Sequence, residues 1–142
     1  MTEADNKKPV PNYVTHYTIL SNELDSQYQH LHHAASLKYL EKARLDLLEQ
    51  IGFPNQALID RQLFLVISKI EAQYLREVRD GKIIVQCSDL RTIDKEVIMH
   101  QTLINERGKK AIEAEIYCQF LSGITKRATL PPDDFVQAFK SR

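Results

Sequence analysis

Residues 25–51 read DSQYQHLHHAASLKYLEKARLDLLEQI, a polar loop with one aspartate and three histidines that runs into a long amphipathic helix. Leu37, Leu40, Arg44, Leu47, Leu48 and Ile51 recur at three- and four-residue steps. That spacing lays the leucines and Ile51 along one face of a helix over about residues 32–51. Gly52 supplies the stop, and Pro54 forbids continuation. A helix with one apolar face has to bury it against another layer. Its polar amino end offers unpaired backbone N–H groups to an anion or a developing oxyanion, so function is sought there first.

The flanking segments supply that second layer. Residues 1–11, polar and ending in Pro9 and Pro11, are expected to be a disordered tail, leaving one domain over residues 12–142. YVTHYTIL (13–20) is rich in β-branched and aromatic residues and reads as a first strand. A loop covers 21–29, and 53–60 is a connector with a turn of helix near Ala57. Beyond it the period becomes two. LFLVISKIEAQYL, within 63–76, is long for one strand and is expected to be bent or bulged. Asp80-Gly81 signals a hairpin, with IIVQC as its second strand. A turn is expected at 90–94, a strand at 96–104 and a turn around Gly108. Along 111–120, Ile112, Ala114, Ile116, Cys118 and Phe120 share one side, and Glu113, Glu115, Tyr117 and Gln119 the other. A short helix at 133–139 follows Pro131-Pro132. Short turns demand antiparallel neighbours, so the prediction is α+β: a five-stranded antiparallel sheet around one long helix. One helix cannot cover every face and edge, which makes dimerisation through an edge strand plausible.

Composition narrows the function classes. The 142 residues carry 19 basic and 19 acidic side chains, well mixed, so no basic patch argues for nucleic acid. Cys87 and Cys118 lie in apolar strand-like runs, as buried free thiols would in a reducing compartment. The start MTEADNKKPVPN lacks an apolar signal core, and no run of about 18 apolar residues would span a membrane. A cytoplasmic protein is expected. The four glycines build no G-x-S-x-G elbow, phosphate-binding loop or dinucleotide fingerprint.

Three segments together carry a family resemblance. Glu23-Leu24-Asp25 and His30-Leu31-His32-His33 precede Tyr39-Leu40-Glu41-Lys42-Ala43-Arg44, and SKIEAQYLREVRDGKIIVQ (68–86) follows. Read with Leu130-Pro131-Pro132, they resemble the hotdog-fold acyl-CoA thioesterases, in the branch related to 4-hydroxybenzoyl-CoA thioesterase. That family's loop runs D-x-D-x-x-G-H-V-N-N, and its helix contains Y-L-E-x-A-R. The chain departs from this pattern in three places. Gln29 stands where the family has glycine, and His32 and His33 replace its asparagines. Counted back from Glu41, the family aspartate falls on Ser26. Either the loop has a one-residue insertion and Asp25 takes the role, or the carboxylate has been lost.

The resemblance implies thioester hydrolysis in an acyl-CoA or acyl-carrier-protein substrate, without cofactor, by a homodimer or homotetramer. Asp25 would be nucleophile or general base, and the helix end at His33 and Ala34 the oxyanion donor. Tyr28, His30 and His32 would line the substrate site. Lys69, Arg76 and Arg79 would meet CoA phosphates, their bland reading being a solvated strand face. Asp25 has a bland reading too, as a turn or cap residue. A second hypothesis is a non-catalytic hotdog binder of CoA or acyl groups. A third is a metal-dependent hydrolase, but H-x-H-x-D-H is not completed, because Ala34 and Ala35 follow His33, so no metal ligands are assigned. Glu41 and Arg44, three apart, are expected to form a structural ion pair.

Overall fold

The computed structural model describes residues 13–140. The tail expected over 1–11 lies outside the described residues. Strand β1 (Tyr13–Ile19) leads through a single 3-10 turn (Ser21–Glu23) and the polar loop to helix α1 (His33–Gln50). A six-residue helix α2 (Asn55–Asp60) fills the expected connector. Strands β2 (Leu63–Tyr74), β3 (Gly81–Ile93), β4 (Glu96–Ile104) and β5 (Lys110–Ser122) follow. A two-residue strand β6 (Ala128–Thr129), which the sequence pattern did not signal, pairs with β5 before helix α3 (Asp133–Lys140).

The five long strands form one antiparallel sheet in the order β1-β3-β4-β5-β2. α1 lies on its inner face. Tyr39, Leu40, Ala43, Leu47 and Leu48 of the helix are buried with Ile83, Val85 and Cys87 of β3, Val97, Met99 and Leu103 of β4, and the alternating set of β5. That inner set is Ile112, Ala114, Ile116, Cys118 and Phe120, as the period of two requires. Phe135 of α3 closes one end, edge-on to Phe53 and Phe120 at ring distances of 5.3 and 4.9 Å. No helix among the described residues is long and apolar enough to cross a membrane.

Two sequence expectations are corrected and one is shifted. Asp80-Gly81 does not join a hairpin pair. β2 pairs with β5 at one edge, whereas β3 lies between β1 and β4, so residues 75–80 cross over. The turn expected at 90–94 comes at the far end of that range, at Asp94-Lys95 with Asp94 at φ 53°, because β3 runs on to Ile93 past an irregularity between Ser88 and Arg91, where Asp89 has φ 52°. Arg44 makes no ion pair with Glu41. Its Nη1 donates instead to buried Gln101 Oε1 at 2.9 Å.

The expected bulge in β2 does occur, between Ile67 and Lys69. It inserts Ser68 and changes parity, so that Leu65 and Ile67 before it and Ile70 and Ala72 after it all face inward. Their partners on β5 are the inward Phe120, Cys118, Ile116 and Ala114. Lys69, opposite Tyr117, is thereby turned to the outer face.

Candidate active site

The loop at 24–31 is closed by an antiparallel bridge between Leu24 and Leu31 and by Asp25 N–H donating to the His30 carbonyl at 2.8 Å. Closing it requires a left-handed residue, and Gln29 fills that place with φ 57°. Inside the turn, Asp25 Oδ1 accepts from the backbone N–H groups of Gln27 (2.8 Å) and Tyr28 (3.1 Å). The Tyr28 and Gln27 donors hold the Asp25 carboxyl below its ordinary range. Glu23 fixes the loop to the helix. Its two oxygens accept from Leu20 N–H and from the Tyr39 hydroxyl, both at 2.6 Å. Tyr39 in turn is pushed up to about 12 by burial and by that bond.

At the helix end, His32 is the N-cap, and its Nδ1 accepts from Ala34 N–H at 3.2 Å. Ala34, expected to share the oxyanion role, is therefore committed to the cap. The His33 N–H has no acceptor among the described residues. Tyr74, at the end of β2, donates its hydroxyl to the His33 carbonyl at 3.2 Å and meets the His33 ring edge-on. Tyr28 stacks on His30 at 5.6 Å.

These groups surround one open cavity of about 620 Å³. Asp25, Tyr28, His30, His32, His33 and Ser36 line it from the loop and α1. Tyr74, Leu75, Arg76, Glu77 and Val78 line it from β2 and the crossing segment, with Ile112 beneath. The expected loop residues are thus gathered in one place. Ser26, the other candidate position for the aspartate, faces none of it; its carbonyl accepts from Gln29 Nε2.

The three basic residues separate. Arg76 lines the cavity, and its Nη1 donates to the Lys110 carbonyl at 2.9 Å. Arg79 is bound to Glu77 (3.0 Å) and, through its N–H, to Glu106. Lys69 pairs with Glu71 at 2.7 Å over the Tyr117 ring, on the far side of the sheet, and does not line the cavity. Tyr74 was missed from the sequence. The only signal for it was the parity change at Ser68, which turns Tyr74 inward. Among the described residues, no three His, Cys, Asp or Glu side chains are grouped to hold a metal ion.

The solved structures that resemble this one share the hotdog fold. A hypothetical protein of Thermus thermophilus superposes with a TM-score of 0.79 at 23% identity, over 91% of this chain and 98% of that one. A hypothetical protein of Staphylococcus aureus, solved in complex with CoA, gives 0.84 at 18% identity, over 96% and 86%. A DHNA-CoA thioesterase of Staphylococcus aureus gives 0.80 at 16% identity, over 92% and 89%. No curated protein matches the chain by sequence. The family model of the thioesterase-like superfamily matches residues 20–139, most of the length, and the chain belongs to that superfamily.

Proposed function

We propose that the protein hydrolyses an acyl thioester, carried by CoA or by an acyl-carrier protein, at the amino end of α1. The observation that carries this reading is the juxtaposition, around one 620 Å³ cavity, of the Asp25 carboxylate and the unpaired His33 N–H at the helix end. The thioester oxygen would sit on that N–H, where the helix dipole also favours negative charge. One such donor lowers a barrier by about 3–4 kcal/mol. Asp25, anchored in its turn through Oδ1, would present Oδ2 either to the carbonyl carbon or to an attacking water. Arg76, in the cavity wall, is the cation we assign to the carrier's phosphate. The CoA bound to one structural neighbour supports CoA over a carrier protein. We assign a homodimer as the working assembly.

A thiol-release assay over aromatic, short-chain and long-chain acyl-CoAs tests this directly. The expected result is turnover of at least one, with Asp25→Asn lowering kcat by about 10²-fold or more at unchanged fold. Equal turnover by that variant would remove Asp25 from the mechanism. The engagement of Asp25 Oδ1 in its own turn favours a second reading, a hotdog protein that binds acyl-CoA without cleaving it. Thermal stabilisation by acyl-CoA with no thiol released would select it.

A further inference from the structure

The ring of His32 does more than cap α1. A neutral imidazole carries one proton on its two nitrogens, so a nitrogen that accepts a hydrogen bond leaves the proton on the other. His32 Nδ1 accepts from Ala34 N–H at 3.2 Å. The proton of the capping ring therefore sits on Nε2. The ring meets the helix with a lone pair and turns an N–H away from it. Because the cap needs that lone pair, the capping ring is by construction a neutral donor.

Three observations bring this N–H to the candidate site. His32 lines the cavity of about 620 Å³. Its ring packs against the His33 ring at 4.1 Å, and Tyr74 holds His33 in turn through its ring edge and its carbonyl. Asp25, beyond its two N–H donors, also feels the charges of His30 and His32, so carboxylate and imidazole share one space. A ring that belongs to residue 32 and bonds the N–H of residue 34 straddles the amide between them. That amide is the His33 N–H, which has no acceptor among the described residues. An oxyanion accepts from more than one donor, and donors fixed beforehand cost no reorganisation when charge develops. The cap and the ring contact fix this one.

We propose that His32 Nε2–H is a second oxyanion donor beside the His33 N–H, which makes His32 a catalytic residue; this rests on the thioesterase reading above. As an oxygen nucleophile adds to the thioester carbon, the C=O π pair moves onto the oxygen, where both N–H groups meet it. When the C–S bond breaks, that pair returns and the sulfur leaves as thiolate. His32 gives a hydrogen bond only, and its proton stays on Nε2 throughout.

The test uses two substitutions that both keep the cap. Serine and asparagine each offer Ala34 N–H a side-chain oxygen. Asparagine also presents an amide N–H, whereas serine has no donor of that reach. Thiol release over the acyl-CoA panel is measured for wild type, His32→Ser and His32→Asn. The expected result is kcat lowered about 10²-fold in His32→Ser with KM within about threefold, and about tenfold regained in His32→Asn. Independently of turnover, a ¹⁵N–¹H spectrum of the imidazoles in alkaline buffer should show His32 protonated at Nε2, its signals assigned by their loss in His32→Ser. His32→Ser turning over like wild type would overturn the proposal and leave the ring a cap alone. His32→Asn no faster than His32→Ser, or a His32 ring protonated at Nδ1, would overturn it as well. Wild-type protein that releases thiol from no acyl-CoA takes down the thioesterase reading and this proposal with it. Wild-type turnover that Asp25→Asn removes and His32→Ser spares takes down the role of His32 alone.

Discussion

Gln29 holds the 24–31 loop in a conformation that suits glycine. At φ 57° a residue with a side chain carries a penalty of about 1–2 kcal/mol. The bond from its amide to the Ser26 carbonyl offsets part of this. In the sequence, Gln29 looked like a lost glycine and made the whole loop doubtful, because side-chain identity does not reveal a backbone angle. The turn forms regardless, and the bridge between Leu24 and Leu31 leaves Asp25, not Ser26, beside the cavity. The same turn predicts a pH profile. Two N–H donors favour the charged form of Asp25, so its pKa when folded lies below the ordinary value of 3.8. The carboxylate therefore stays ionised as pH falls through the usual aspartate range. The stability it lends is complete above the unfolded value and is lost only as pH drops through the lower folded one. The acid limb of kcat/KM that belongs to Asp25 should accordingly lie below 3.8. A limb above that value, present in wild type and gone in Asp25→Asn, would contradict this.

The ends of α1 were the most readable element boundaries. Gly52 at φ 88° closes a Schellman motif, with Phe53 N–H donating to the Leu48 carbonyl (2.7 Å) and Gly52 N–H to Glu49 (3.1 Å). A Cβ at Gly52 would meet no atom within 4 Å. Gly52→Ala should therefore lose only the conformational preference, about 1 kcal/mol, or roughly 3 °C in Tm, with no change in activity. A loss several times larger by thermal melting would mean that the space is needed for something else. Alternation along β5 was equally plain, since every second residue meets the helix. Asp80-Gly81 misled for a physical reason. Such a pair reports that the chain can bend sharply, but not which strands will then pair, and Gly81 pairs with Ile19. Lys69 lies apart from the cavity for a similar reason, because one bulge reverses which face every later side chain takes.

At the level of the whole molecule, β2 is an edge strand whose inner face is poorly covered. Ile67, Ile70 and Tyr74 point to the helix side yet are 44%, 37% and 48% exposed. An open edge bearing that much apolar surface calls for a partner, and a two-fold pairing of β2 with its copy would join two sheets into one. Light scattering should find a dimer in solution. Ile70→Lys should shift it towards monomer, and a monomeric wild type would refute the assignment.

The crossover at 75–80 sets a bound on how the site can open. In passing from β2 to β3, six residues have to clear the width of two intervening strands. At about 4.8 Å per step, that is three steps, or roughly 14 Å. Fully stretched, six residues reach at most about 20 Å. The reach exceeds the span, so what holds this wall of the cavity is hydrogen bonding: Leu75 and Arg76 N–H both donate to the Ala111 carbonyl, and the Val78 carbonyl accepts from Leu31 N–H. To swing aside it would have to break those bonds, including the one that ties it to the loop carrying Asp25, so the two walls of the cavity are coupled and neither opens alone.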